Sequence, residues 1–180
     1  MSLRYSARAQ PFLDAIDAAV FGSAAVRDWL IKGTRHAAAY HGAASLHAEQ
    51  RAERGQPRQP FFCNCWCGRD SRCTCRLAGS RALETDALFI VANAAGRRLA
   101  IYIEFKHPGE RFSPGQAEGY PLRAACWASG TYRPRSVPPQ DDWLCVVFAG
   151  DAAVSSPESA AFDRRIGHGE AASAIAGYRS

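Results

Sequence analysis

Leu99-Ala-Ile-Tyr-Ile-Glu-Phe-Lys-His107 is the stretch on which the reading of the chain turns. It opens as an apolar, β-branched run and closes with an acid and a base two residues apart. Side chains alternate along a strand, so Ile101, Ile103 and Phe105 take one face and Tyr102, Glu104 and Lys106 the other. Glu104 and Lys106 then lie about 6–7 Å apart on that face. Upstream, Glu84 to Ala92 reads as a second strand, and Asn93-Ala-Ala-Gly96 supplies the turn residues of a hairpin. A hairpin centred near Ala95 sets Asp86 opposite Glu104, within one residue of register. Facing like charges are destabilising, and a bound divalent cation is the best reason to keep them. A solvated surface pair of Glu104 and Lys106 is the plainer alternative, worth a few tenths of a kcal/mol. Against it, Ala87–Val91 and Leu99–Ile103 are almost unbroken apolar runs, as in strands buried on both faces. Charges at the ends of such strands point to function.

Asp86, an apolar strand and turn, Glu104-Phe105-Lys106 closing a second strand, then Gln116 and Tyr120 opening a helix: this order resembles the PD-(D/E)xK nuclease superfamily. These are the restriction-endonuclease-like phosphodiesterases. The resemblance covers residues 81–148, and more loosely the helices on either side. Thr85 stands where the proline that names the motif would be. The resemblance implies an α/β fold whose mixed central sheet is flanked by helices, and metal-dependent hydrolysis of phosphodiester bonds, with DNA the expected substrate. It implies that Asp86 and Glu104 hold Mg²⁺ or Mn²⁺, with the carbonyl of Phe105 as a third ligand. Lys106 would orient the attacking water and offset developing charge, and Gln116 would help hold that water or the phosphate. The competing expectation is a catalytically inactive nucleic-acid-binding module centred on the arginines and a zinc-binding cysteine knuckle at residues 61–76. A third is a scaffold protein with neither activity nor nucleic-acid affinity.

At 180 residues the chain is one domain long enough to bury a core. Its charge of +5 suits a polyanionic partner. Lys32 and Lys106 are the lysines among 22 basic residues, so an arginine-biased chain keeps lysine in the E-x-K slot. No apolar run reaches the roughly 18 residues of a membrane span, and no signal-peptide core opens the chain, so a cytoplasmic protein is expected. The absence of a Gly-rich phosphate loop and of a G-x-S-x-G elbow argues against an NTPase or a serine hydrolase.

Residues 8–54 read as N-terminal helices, with Phe12, Leu13, Ile16, Val20, Val26, Leu30 and Ile31 at three- and four-residue spacings. Gly22-Ser23 breaks the first helix and caps the second, and a third helical piece is expected from Arg35 into Arg54. The resemblance implies that Glu49 or Glu53 on it could add an acid to the site, though a solvated helix face accounts for both. Residues 61–76 form a cysteine-rich insertion with Cys63, Cys65, Cys67, Cys73 and Cys75. Four of these five thiolates could hold a structural Zn²⁺; packed thiols or an iron–sulfur cluster are the alternatives. Glu84 is the reserve acid should Asp86 be displaced by register. His107 to Phe112 is expected as an exposed loop. Ser113-Pro-Gly-Gln116 has the pattern of a capping box, so Gln116 has a structural role open to it as well as a chemical one. A helix from 114 to 128 follows, kinked or delayed by Gly119 and Pro121. An arginine-bearing loop with Arg133 and Arg135 comes next, then a buried strand at Trp143–Ala149, a loop over 151–158 and a last helix over 170–178. Cys126 and Cys145 read as small core hydrophobes.

Overall fold

The computed structural model describes residues 8–54, 75, 85–130, 133 and 137–179, with backbone alone at 53 and 54. The elements run α1 (Gln10–Gly22), α2 (Ala24–Ile31), β1 (Ala44–Ser45), α3 (His47–Arg54), β2 (Ala87–Ala92), β3 (Arg98–Phe105) and α4 (Gln116–Ala128). Then come β4 (Asp142–Ala149), α5 (Asp151–Val154), a 3-10 turn at Pro157–Ala161, β5 (Arg164–Gly167) and α6 (His168–Ala174). The strands form one mixed sheet in the order β1-β2-β3-β4-β5. The β1–β2 and β2–β3 pairs are antiparallel; β3–β4 and β4–β5 are parallel. The chain is thus α/β with helices on both faces of a five-stranded sheet.

Alternation sorts the core into two layers. Ile101, Ile103 and Phe105 of β3 face α1, α2 and α6, among Leu13, Ile16, Leu30 and Ala171. Ala100 and Tyr102 face the other way, onto Ala117, Tyr120, Ala124 and Trp127 of α4. Both faces are covered, which is why β2 and β3 carry apolar residues at nearly every position. Cys126 and Cys145 are buried, as expected of small core hydrophobes.

Local signals explain most boundaries. Ser23 caps α2, its Oγ accepting the Val26 N–H at 3.2 Å. Asn93 closes the hairpin turn, its Oδ1 accepting from Ala95 and Arg97 N–H, while Gly96 takes a φ of 77°. α4 starts at Gln116 rather than 114, after Gly115 in the left-handed conformation, and runs on through Pro121. Its buried Ala117, Tyr120, Arg123, Ala124 and Trp127 hold it against the sheet.

Four expectations are corrected. The helical piece expected from Arg35 into Arg54 forms only at its end, as α3; residues 33–42 are instead a run of turns, with positive-φ Gly33 and Gly42 near its ends, after which β1 pairs Ala44 with Ala92. The loop over 151–158 contains α5 and the start of the 3-10 turn, and β5 follows, a strand too short to show a period. The last helix begins at His168 and ends at Ala174, and Tyr178 folds back into the core. His107 is buried, its ring edge-on to Phe12 and Phe105.

The outer side of β2 is closed by a side chain. Beyond Ser45 the ladder is continued by Gln50 of α3, which donates to the Leu88 carbonyl at 3.0 Å and accepts the Ile90 N–H at 2.8 Å. Gln50 is 1% exposed, so this amide stands in for a neighbouring strand. At the far edge, the four-residue β5 carries Arg164 and Arg165.

Candidate functional site

The hairpin register sets the geometry. Ala87 pairs with Ile103, and one further step sets Asp86 opposite Glu104. Both project to the α4 side, where Lys106 joins them two residues on. The Phe105 N–H donates to Asp86 Oδ2 at 2.7 Å. Within a strand, the N–H and C=O of one residue project to the same edge, so the Phe105 carbonyl is turned toward Asp86. The next N–H, that of Lys106, points the opposite way to the Phe148 carbonyl at 2.8 Å.

Glu104 is 1% exposed. A buried, uncompensated carboxylate costs several kcal/mol, and three donors compensate this one. Gln116 Nε2 reaches Oε1 at 2.6 Å, Lys106 Nζ reaches the same oxygen at 3.0 Å, and the Tyr120 hydroxyl donates to Oε2. Charge-assisted bonds contribute about 1.5–3 kcal/mol each, enough together to offset the burial. Gln116 also accepts the Ser113 N–H at 3.0 Å through Oε1. That bond fixes the amide with its NH₂ toward Glu104, since the reverse would set acceptor against acceptor. Gly115, not Ser113, is the N-cap of α4, and no side chain caps the helix, so the expected capping box does not form; Gln116 instead ties down the turn before the helix and reaches Glu104 with the same amide.

Arg123, also buried, completes the surroundings. It donates to the Thr85 hydroxyl, and its guanidinium lies 4.8 Å from the Tyr120 ring centre. Gln116, Tyr120 and Arg123 are spaced four and three apart, one face of α4 directed at the ends of β2 and β3. Burial, followed by the charges of Glu104 and Asp86, holds the Tyr120 hydroxyl well above its ordinary pKa. Tyr120 is thus a fixed donor. Tyr120 belongs to the sequence pattern, whereas Arg123 was missed; an arginine three residues after Tyr120 on the apolar face of α4 is the signal that could have found it.

Other expected residues lie elsewhere. Glu49 pairs with Arg98 at 2.8 Å, at the opposite end of β3 from Glu104. His107 belongs to the α1 side of the sheet with Phe105, away from Lys106. Arg133 donates to the Val137 carbonyl. Cys63, Cys65, Cys67, Cys73, Glu84, Arg135 and the side chain of Glu53 lie outside the described residues; Cys75 is buried in the α4-side layer.

Among the described residues no three His, Cys, Asp or Glu side chains gather at one point. The donor set is instead two carboxylates and a main-chain carbonyl. These are hard oxygens of the kind Mg²⁺ and Mn²⁺ take, so they would suit such an ion. Among the described residues no helix is long and apolar enough to cross a membrane. Comparison with protein-family models, with curated proteins and with solved structures yields no match to this chain.

Proposed function

We propose that the chain is a metal-dependent nuclease on a restriction-endonuclease-like core, cleaving phosphodiester bonds of nucleic acid, DNA first among them. One observation carries this reading: Asp86, Glu104, Lys106 and Gln116, with the Phe105 carbonyl, meet at one end of the β2–β3 hairpin. Asp86, Glu104 and Phe105 would hold the ion, which when bound polarises the phosphate and lowers the pKa of the attacking water. The residues of the chain do the rest. Phe105 N–H orients Asp86, while Gln116 and Tyr120 hold Glu104 in place. Lys106 brings a compact ammonium to within 3.0 Å of Glu104, where it can orient water and offset charge as the phosphorane forms. The net charge of +5 favours a polyanion at the surface.

The test is cleavage of single- and double-stranded DNA and RNA with Mg²⁺ or Mn²⁺. Activity should vanish with EDTA, and Ca²⁺ should support binding better than cleavage. Asp86→Ala should lose cleavage and keep binding. Cleavage that survives EDTA or Asp86→Ala overturns the mechanism; binding without cleavage by the unaltered protein returns the inactive-module alternative.

The cysteine segment is proposed as a zinc knuckle on its sequence pattern alone. Purified protein should then contain about one equivalent of zinc, and Cys→Ser at a ligand should lower the melting temperature. Zinc-free protein of unchanged stability defeats that assignment, and absorbance near about 400 nm would point to iron–sulfur.

A further inference from the structure

We infer that His168 is a positioning residue for Lys106, fixing the lysine's peptide from the opposite side of the sheet. The inference rests on the reading of Lys106 as the residue that acts on the phosphate. β3 ends at Phe105, and Lys106 lies just beyond it. There its N–H still donates to Phe148 of β4 at 2.8 Å. Its carbonyl, projecting to the same side, lies past the last β3–β4 pair, Phe105 with Phe148. His168 takes over: its Nε2 lies 3.0 Å from the Lys106 carbonyl. One imidazole thus does the work of the missing strand.

The ring is held in the state this requires. A carbonyl only accepts, so Nε2 carries the hydrogen, and in the neutral ring Nδ1 accepts the Tyr178 hydroxyl at 2.8 Å. Phe12, Phe105 and Tyr178 surround the imidazole with ring centres 5.6–6.0 Å away. The following loop is pinned too: a Cβ at Gly150 would meet Pro108 Cα at 3.2 Å, an approach that glycine allows.

Lysine has a long, flexible stem, so the aim of Lys106 Nζ depends on where its backbone is fixed and on its contact with Glu104. Misplacing a reacting group by about 1 Å can cost on the order of 10²-fold in rate. His168→Phe keeps ring volume and removes the donor; His168→Gln restores an amide N–H at similar reach; Tyr178→Phe removes the partner that fixes the tautomer. Expected for His168→Phe is a fall in kcat of about 10- to 100-fold, with KM and Ca²⁺-supported DNA binding within about twofold. His168→Gln should recover most of the loss, and Tyr178→Phe should lose severalfold in kcat alone.

A second readout is independent of cleavage. Lys32 and Lys106 being the two lysines, ¹⁵N-lysine protein gives two side-chain signals. The Lys106 signal should be ordered in the parent and averaged in His168→Phe, with that of Lys32 unchanged. Should His168→Phe fail to fold, His168→Gln and Tyr178→Phe carry the same comparisons. An unchanged Lys106 signal with parental kcat in the variants overturns the positioning role. A parent without cleavage, whose Lys106 signal still responds to His168, overturns the nuclease reading and leaves the clamp standing.

Discussion

Glu104 meets a lysine, an amide and a phenol at its two oxygens, and each can be removed separately. Glu104→Ala and Lys106→Ala should each reduce cleavage by about 10²-fold or more, the usual cost of losing a ligand or a preorganised charge. Lys106→Arg should be nearly as poor, because a planar fork cannot take the place of a compact ammonium 3.0 Å from Glu104. Full activity in any of the three, in a standard plasmid-nicking assay, rejects the assignment. Tyr120→Phe isolates the phenol. It deletes one charge-assisted bond, worth roughly 1.5–3 kcal/mol, and preserves the packing against Phe162. Titrating Mg²⁺ against activity should show a raised metal requirement in this variant; an unaltered curve means the hydroxyl does not shape the ion site. At this scale the sequence was legible wherever chemistry follows alternation: the Asp86–Glu104 register and the Glu104–Lys106 face both came from period two and a turn. The contacts of Arg123 and His168 were not legible, although the place of Arg123 on the apolar face of α4 was open to reading. Their partners, Thr85 and the Lys106 carbonyl, are 38 and 62 residues away, and no local pattern encodes such distances.

Strand β2 owes its outer side to a helix. Gln50→Ala should leave the Ile90 N–H and the Leu88 carbonyl buried without their present partner, at about 1–3 kcal/mol for each group. A total loss of roughly 2–6 kcal/mol, read from urea denaturation midpoints, is the expected outcome. A loss under about 0.5 kcal/mol, the range of ordinary surface substitutions, would show that water or a shift of α3 replaces the amide. Elements of eight residues or more with a clear apolar pattern, such as α1, β3, α4 and β4, could be read in advance. The six-residue β2 could be read too, but the two shortest strands could not. β1 has two residues and β5 reads Arg-Arg-Ile-Gly, with one apolar side chain, so neither presents an alternation to detect. Their existence is decided by the sheet they complete.

For the molecule as a whole, buried titratable groups set a pH window. Burial raises Tyr40, Tyr120 and Tyr178 above the usual phenol range. Above about pH 10 the unfolded chain releases protons that the folded chain keeps, so stability falls as pH rises. Burial also lowers His47 and His168. Below about pH 6.5 the unfolded chain takes up protons that the folded chain refuses, so stability falls again as pH drops. Urea midpoints should therefore be highest between these limits; a midpoint that climbs from pH 8 to pH 10.5 would contradict the burial of the tyrosines. The layered α/β architecture behind this burial was visible in the doubly apolar strands, although which histidines and tyrosines it enclosed was not. The two margins of the sheet carry a different consequence. Exposed, unpaired strand backbone is a template on which other chains polymerise. Here one margin is a two-residue strand followed by the Gln50 amide, and the other is a short strand bearing two arginines. Both are poor seeds for fibrils or for exchange of strands between neighbouring molecules. Gln50→Ala, by uncovering Leu88–Ile90, should therefore make concentrated solutions turn cloudy sooner, a colloidal defect separate from the loss of folding free energy.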